Sequence, residues 1–589
     1  MRRRLWTTTA VLASVLALAP WPQSPARARP GDTPQPLERL YDNRAVSADT
    51  DSSAADFDGA GNSLSAGDLA AAGWTPGRAL TVGGSRFTLP ATRPGEPDNV
   101  VADGQSIQVK GRGDALSLLV TATGGEATGP GTVHYRDGSR STFNLTALDW
   151  RTGSLGAKAL ALPHVNTPGG QLAEKARLYA LTVPLDQRRE VSSVRLPRDT
   201  GPDLHVFAVS VRSNTSGWTG SWAASTSGQP SVGPWSDRTL RLVVHTSAGG
   251  PRVRVRLDNT FASAPVRIGS ATVAVQESGA TAVSAPRPLR FRGGSSAEIP
   301  AGAQALSDPL DFTVPADANL LVSFHLPETV ASAPVHQLAV QQSYLSEPGD
   351  HSAEHSGGAY TSTLSNWPLL AGVDVGGGPG SVVVLGDSIT DGERSTPGAN
   401  RRWPDLLADR LRAQDEVPRY GVLNHGISAN RITSDRYPGD GISTDTGGVS
   451  ALHRLDRDVL AQTSARTLVL FMGVNDIRWG ASSEQVTVGM REIAERARAR
   501  GLRVVGATVA PCQGEARCTA AVDTERQEIN SWLRSGTAFD AVLDFDAVLR
   551  DPANPARIAP GYDSGDHLHP SEAGLAALAD SVDLRLLQG

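Results

Sequence analysis

From Ser381 onward the chain changes its hydrophobic period, and that change constrains the fold more than any other feature of its 589 residues. Apolar runs at 381–385, 421–424, 467–472, 503–509 and 541–545 are short and rich in β-branched residues, so they read as buried strands. Helical stripes lie between them. Trp403, Leu406, Leu407 and Leu411 share one face, and Leu452, Leu455, Val459 and Leu460 share another. Strands alternating with helices in this way predict a parallel sheet with helices on both faces. Such sheets bind ligands and do chemistry at the carboxyl ends of their strands. The first strand ends in Gly386-Asp387-Ser388-Ile389, which puts Ser388 at that edge.

Before residue 381 the pattern is different. Turn signals such as Gly83-Gly84, Pro94-Gly95, Gly124-Gly125 and Asp137-Gly138 recur among strand-like runs. With 61 glycines and 39 prolines, the chain has the turns an all-β region needs. We read two β-sandwiches, at 40–213 and 217–375, then a Gly-rich hinge at 376–380 and the α/β domain at 381–589. A chain of this length is too long for one core. Arg252-Val253-Arg254-Val255-Arg256-Leu257 alternates strictly, which predicts one buried face and one solvated arginine face. Trp74 and Trp150 are candidate sugar-stacking platforms, although such tryptophans more often sit in cores. His351-Ser352-Ala353-Glu354-His355 matches a zinc-peptidase spacing, but it lies between Pro348-Gly349 and Gly357-Gly358 with almost no apolar face, so it reads as a loop.

The first residues have the parts of a signal peptide, assigned to 1–28. Arg2, Arg3 and Arg4 precede a mostly apolar run, and Ala26-Arg27-Ala28 is a cleavage pattern. Residues 29–39 are Pro-rich and polar and read as a linker. Secretion is therefore expected. Loss of Arg2, Arg3, Arg4 and Arg27 takes the formal charge from −6 to −10, which leaves no electrostatic footprint for nucleic acid. No further segment is apolar enough to span a membrane. Cys512 and Cys518 are the two cysteines, and in an oxidising compartment they are expected to close a local disulfide.

Four short motifs fall at strand ends of the last domain. They are Gly386-Asp387-Ser388-Ile389, Asn424-His425-Gly426-Ile427-Ser428, Gly473-Val474-Asn475-Asp476 and Asp566-His567-Leu568-His569-Pro570. Together they resemble the SGNH/GDSL hydrolases, with Ser388, Gly426, Asn475 and His569 as the four naming residues and Ile389 where the family name has leucine. The resemblance implies a flavodoxin-like domain with a five-stranded parallel sheet. It also implies Ser388 as nucleophile, His569 as base, Asp566 as its carboxylate, and an oxyanion hole from the Ser388 and Gly426 backbone N–H groups and the Asn475 amide. The residues themselves fit those roles. A serine hydroxyl needs a base to take its proton, and a histidine needs a carboxylate to fix its tautomer. Asp566 lies three residues from His569, within reach in a turn; the competing pair is Asp563 with His567. Asp387, Asp391 and Asp476 are expected to support the loops, and Trp479 and Ile477 to line a pocket or a core. Residues 40–213 resemble a β-sandwich module of secreted actinobacterial glycoside hydrolases, through Ala55-Asp56-Phe57-Asp58-Gly59, Leu69-Ala70-Ala71-Ala72-Gly73, Pro97-Asp98-Asn99-Val100-Val101 and Gly129-Pro130-Gly131-Thr132-Val133.

The expected function is a secreted, monomeric serine esterase. It would act without cofactor or metal on short-acyl carboxylic esters, such as acetyl groups, carried on polysaccharides. The rivals are a lipase or phospholipase of the same family and a non-catalytic carbohydrate-binding protein.

Overall fold

A computed structural model of the chain describes residues 33–198 and 201–589. The expected signal peptide and residues 29–32 of the linker lie outside the described residues. The rest of that linker is docked rather than free. Gln35 bridges to Ile107, and Leu37 opens a short 3-10 turn and is buried in the first sandwich. One leucine beside an uncovered sheet edge is enough to dock a segment whose composition reads as a spacer.

In the first β region two sheets face each other. One orders the strands Leu160–Leu162, Ala176–Pro184, Ala115–Thr123, Asp203–Arg212 and Val100–Val101; the other orders Ser106–Gly111, Val191–Arg195, Ala127–Tyr135 and Arg140–Ala147. Leu116, Leu118, Val120, Val133, Leu145, Val194 and Val206 fill the space between them. The strand Ala115–Thr123 is buried on both faces, because Leu119 on its other side joins a second core. That core also takes in Trp74, Leu80, Phe87 and Trp150 and runs on into the second β region. The hairpin of Ala79–Val82 and Ser85–Thr88 adds to the second region's sheet through Thr81 and Gln304. Trp74 and Trp150 are 2% and 1% exposed, and the Trp74 indole N–H donates to the Ala301 carbonyl at 2.8 Å. Neither can stack on a sugar.

The second β region again packs two sheets. Two readings of its sequence need correction. The Arg252–Arg256 stripe is not a solvated face beyond Arg252. Arg254 pairs with the buried Asp374 at 2.8 Å and lies over the Trp218 ring, and Arg256 donates to Gln462 and Thr463 of the α/β domain. The alternation marks which side those arginines face but not what covers it. Residues 376–380 are not a loose hinge. Gly377 donates to the Gly217 carbonyl, Gly380 donates to Thr219 Oγ1, and the strand Leu370–Gly376 turns directly into the α/β sheet. A Cβ on Gly380 would lie 2.5 Å from the Ser464 carbonyl oxygen, so glycine here permits a close contact. The region from Ser346 to Ser365 is organised by Arg241, fully buried, which donates to Ser323 Oγ and to the carbonyls of Ala280 and Glu354 beneath the Tyr360 ring. His351 pairs with Glu354 inside this loop, and no group of three or more His, Cys, Asp or Glu among the described residues is placed to hold a metal ion.

The α/β domain follows the predicted period. Its strands are β1 (Ser381–Gly386), β2 (Gly421–Gly426), β3 (Ala465–Phe471), β4 (Arg503–Ala507) and β5 (Ala541–Leu543). All neighbours are parallel, in the order β2-β1-β3-β4-β5. Val382 and Val384 enter one core, Val383 and Leu385 the other, as the two-residue period of a doubly covered strand requires. The reversal of order at β1 places a crevice at its carboxyl end. Among the described residues no helix is long and apolar enough to cross a membrane.

Candidate active site

The strand β1 ends at Gly386, and a one-turn helix, α1 (Ser388–Asp391), starts immediately. Asp387 caps it by accepting the Ile389 N–H at 3.1 Å. Gly386 permits the sharp turn, since a Cβ there would lie 2.1 Å from Thr390 Oγ1. The turn presents Ser388 Oγ 2.9 Å from His569 Nε2. His569 Nδ1 lies 2.8 Å from Asp566 Oδ2, and Asp566 Oδ1 accepts the backbone N–H groups of Leu568 and His569. A carboxylate facing Nδ1 places the ring proton there and leaves Nε2 as an acceptor toward Ser388. Burial alone would raise the Asp566 carboxyl. Its N–H donors and the His569 ring outweigh that and hold it well below the usual range.

The competing pair also forms, but apart from the serine. His567 Nδ1 lies 2.6 Å from Asp563 Oδ2, with the His567 side chain half exposed and its backbone at φ 62°. Ser388 thus separates two similar acid–histidine pairs. Arg394 adds a partner that no motif announced: its Nε donates to Asp566 Oδ2 at 3.0 Å.

The oxyanion side departs from expectation at Gly426. Its N–H already donates to Asn424 Oδ1 at 2.9 Å. Glycine is required there for a different reason, because a Cβ would lie 2.3 Å from the Asp391 nitrogen, against the backbone of α1. On the same loop Ala429 adopts φ 63°, a left-handed conformation that glycine takes more readily. The N–H groups of Ser388 and Ala429 have no protein acceptor among the described residues. Asn475 lies on α2 (Val474–Arg478) after β3, buried at 2% exposure. Its Nδ2 donates to the Asn430 carbonyl at 3.2 Å, and its second amide hydrogen remains available.

Supporting carboxylates tie these loops together. Asp476 accepts the backbone N–H groups of Ile432 and Thr433. Asp391 Oδ2 accepts the Ser428 N–H at 2.8 Å, and its Oδ1 lies 2.9 Å from His336 Nε2, which comes from the second β region. His336 Nδ1 faces the Ser225 carbonyl. Burial disfavours a charge on His336, but Asp391 outweighs it and raises the ring's pKa. Ile477 is core, whereas Trp479 is 43% exposed and ringed by the guanidinium groups of Arg431, Arg436 and Arg517. Cys512 and Cys518 form the expected disulfide. Its loop borders the site, with Gly514 against the His567 ring.

Comparison with known proteins finds likenesses for two parts of the chain. Residues 384–577 match the GDSL-like Lipase/Acylhydrolase family model, and residues 33–215 match that of the AziU2-like beta-sandwich domain. A G-D-S-L family protein from Desulfitobacterium hafniense DCB-2 is 23% identical over 35% of this chain and 99% of its own, with a TM-score of 0.27. A lipase/acylhydrolase from Enterococcus faecalis is 18% identical over 34% of this chain and 92% of its own, TM-score 0.27. A catalytic mutant of an acetylxylan esterase from Geobacillus stearothermophilus is 19% identical over 35% and 93%, TM-score 0.27. No curated protein matches the chain. Residues 384–577 thus form a GDSL-like lipase/acylhydrolase domain, of a family of ester hydrolases.

Proposed function

We propose that the protein is a secreted serine esterase that removes short acyl groups, such as acetyl, from polysaccharides. The observation that carries the catalytic part is the hydrogen-bonded row Ser388–His569–Asp566. Ser388 Oγ attacks the ester carbonyl while His569 Nε2 takes its proton, and Asp566 stabilises the imidazolium. The oxyanion is met by the Ser388 N–H, the Asn475 amide and the loop amide at Ala429. Collapse expels the alcohol, protonated by His569, and leaves an acyl-enzyme. Water, deprotonated by His569, then releases the acid and restores Ser388.

The substrate reading rests on the rim. The exposed aromatic near the site, Trp479, is covered by guanidinium groups, and Arg394 and His567 flank the histidine loop. A polar rim of this kind suits a hydrated sugar alcohol better than a lipid chain. The Cys512–Cys518 bridge and the expected 1–28 leader support secretion. The carbohydrate-binding rival loses its two candidate platforms, because Trp74 and Trp150 are buried.

Labelling with a fluorophosphonate probe tests the nucleophile. The wild type should label and Ser388→Ala should not; an unlabelled, folded wild type would end the esterase reading. A series from acetylated xylan to long-chain esters and phospholipids tests the substrate, and a preference for long acyl chains would replace this reading with the lipase one.

A further inference from the structure

Asn475 is a donor whose value depends on which way its amide points. The oxygen and nitrogen ends of an amide have almost the same shape, so partners decide its orientation. On one side the Asn430 carbonyl can only accept, which selects the nitrogen. On the other side Arg478, one turn further along α2, can only donate, and its Nη1 meets Asn475 Oδ1 at 3.0 Å. Both partners demand the same orientation.

Arg478 is itself gripped. Its Nε donates to Glu515 Oε2 at 3.0 Å and its Nη2 lies 2.9 Å from Glu515 Oε1, a bidentate pair whose side chains are 11% and 20% exposed. Glu515 sits inside the loop closed by Cys512 and Cys518, where its N–H donates to the Cys512 carbonyl and its carbonyl accepts from the Cys518 N–H. Its Oε2 also accepts the Arg517 N–H at 2.9 Å. The guanidinium therefore has one face of its fork fixed by a crosslinked loop and one nitrogen left for the amide.

We infer that Arg478, held by Glu515 of the disulfide loop, is a positioning residue that orients and polarises the Asn475 amide for oxyanion binding. This rests on the esterase reading, and it assigns the disulfide a task in catalysis rather than in stability alone. An oriented donor matters in the transition state, where charge develops on the substrate oxygen, and little in the ground state.

A double-mutant cycle on p-nitrophenyl acetate tests the inference, with thermal melting of each variant. Asn475→Ala should lower kcat about a hundredfold, the usual loss for one oxyanion donor. Arg478→Met should lower kcat about tenfold with KM within about twofold, since only transition-state binding is touched. In the Asn475→Ala background Arg478→Met should cost nothing further, because no amide remains to orient. A purely structural arginine would instead multiply the two losses, and that result overturns the inference, as does wild-type kcat in Arg478→Met. Glu515→Gln keeps the shape and an acceptor while removing the charge, so it serves if Arg478→Met does not fold. Its loss of about threefold should likewise vanish without Asn475. A folded wild type that does not turn over the ester would overturn the esterase reading itself.

Discussion

Asp387 stands one residue before the nucleophile and is 2% exposed. Burial, with a smaller push from Asp476 and Asp391, raises its carboxyl to about 7 against the opposing Ile389 N–H and Arg478. An unfolded chain releases that proton near pH 4. Between about pH 4 and 7 the folded state thus holds a proton that the unfolded state has lost, so this residue makes folding less favourable as pH rises through that window. Asp387→Asn keeps an acceptor for the Ile389 N–H and cannot ionise. It should melt higher than wild type at pH 8 and alike at pH 3.5, and parallel melting curves across pH would contradict the shift. Gly426 gives a second prediction at this scale. A Cβ there meets the Asp391 nitrogen at 2.3 Å and its Cα at 2.6 Å, backbone atoms that cannot swing away. Gly426→Ala should displace α1 and cost about 1–3 kcal/mol of stability together with most ester hydrolysis; wild-type kcat and melting temperature would show that the loop yields freely. Ala429, already left-handed, should accept glycine with activity retained.

The strands of the α/β sheet were readable because each is a short apolar run between polar helical stripes, and that pattern is local. The nucleophile turn, the Asn475 helix and the Asp566–His569 turn were readable because each motif lies within a few residues. What the sequence could not show is which distant element covers a given face. Arg254 and Arg256 alternate as a solvated stripe would, yet Asp374 and the loop at Gln462 close over them. Gly426 was expected to offer its amide to the oxyanion, but that amide donates to the Asn424 side chain, whose rotamer no spacing encodes. Arg478 lies at helical spacing from Asn475 and was visible in principle; Glu515 was not, since its contact crosses from another loop. The loop from Ser346 to Ser365 shows the same limit, because its order comes from Arg241 on a separate strand. Replacing that arginine by methionine leaves the Ala280 and Glu354 carbonyls without their donor. Arg241→Met should therefore open residues 349–359 to limited proteolysis and lower the melting temperature. Equal cleavage of wild type and variant would remove Arg241 as the organiser of this loop.

At the scale of the whole molecule, the β regions are built into the catalytic domain rather than hung from it. Arg454 is fully buried beneath the site, donating to Gly386 and His425 carbonyls, to Asn430 Oδ1 and, across the boundary, to Ser225 Oγ. The strand Trp218–Ala223 lies so close to β2 that a Cβ on Gly421 would sit 2.0 Å from the Gly220 carbonyl oxygen. His336 reaches in from the second β region to Asp391, which holds the Ser428 N–H next to the oxyanion loop. The first region contributes as well, since Arg212 donates to the Leu460 carbonyl and Arg500 donates to Thr182 and to the Asp114 carbonyl. An α/β domain cut at residue 381 would take Ser225 from Arg454 and His336 from Asp391 and open the β2 edge and its apolar packing to water. Buried charges that lose a partner, together with a core face newly exposed, weigh heavily against the small total stability of a domain. The fragment 381–589 should therefore lack a cooperative melt and retain under about a tenth of the ester hydrolysis of a chain that includes residues 33–380. A soluble fragment with full kcat and a sharp transition would show that the β regions only accompany the site. The intermediate test is His336→Phe in the full chain, which removes the Asp391 contact while filling the space. It should lower kcat through the Ser428 loop with the β sandwiches left intact, so a loss there assigns the coupling to that one contact rather than to the interface as a whole.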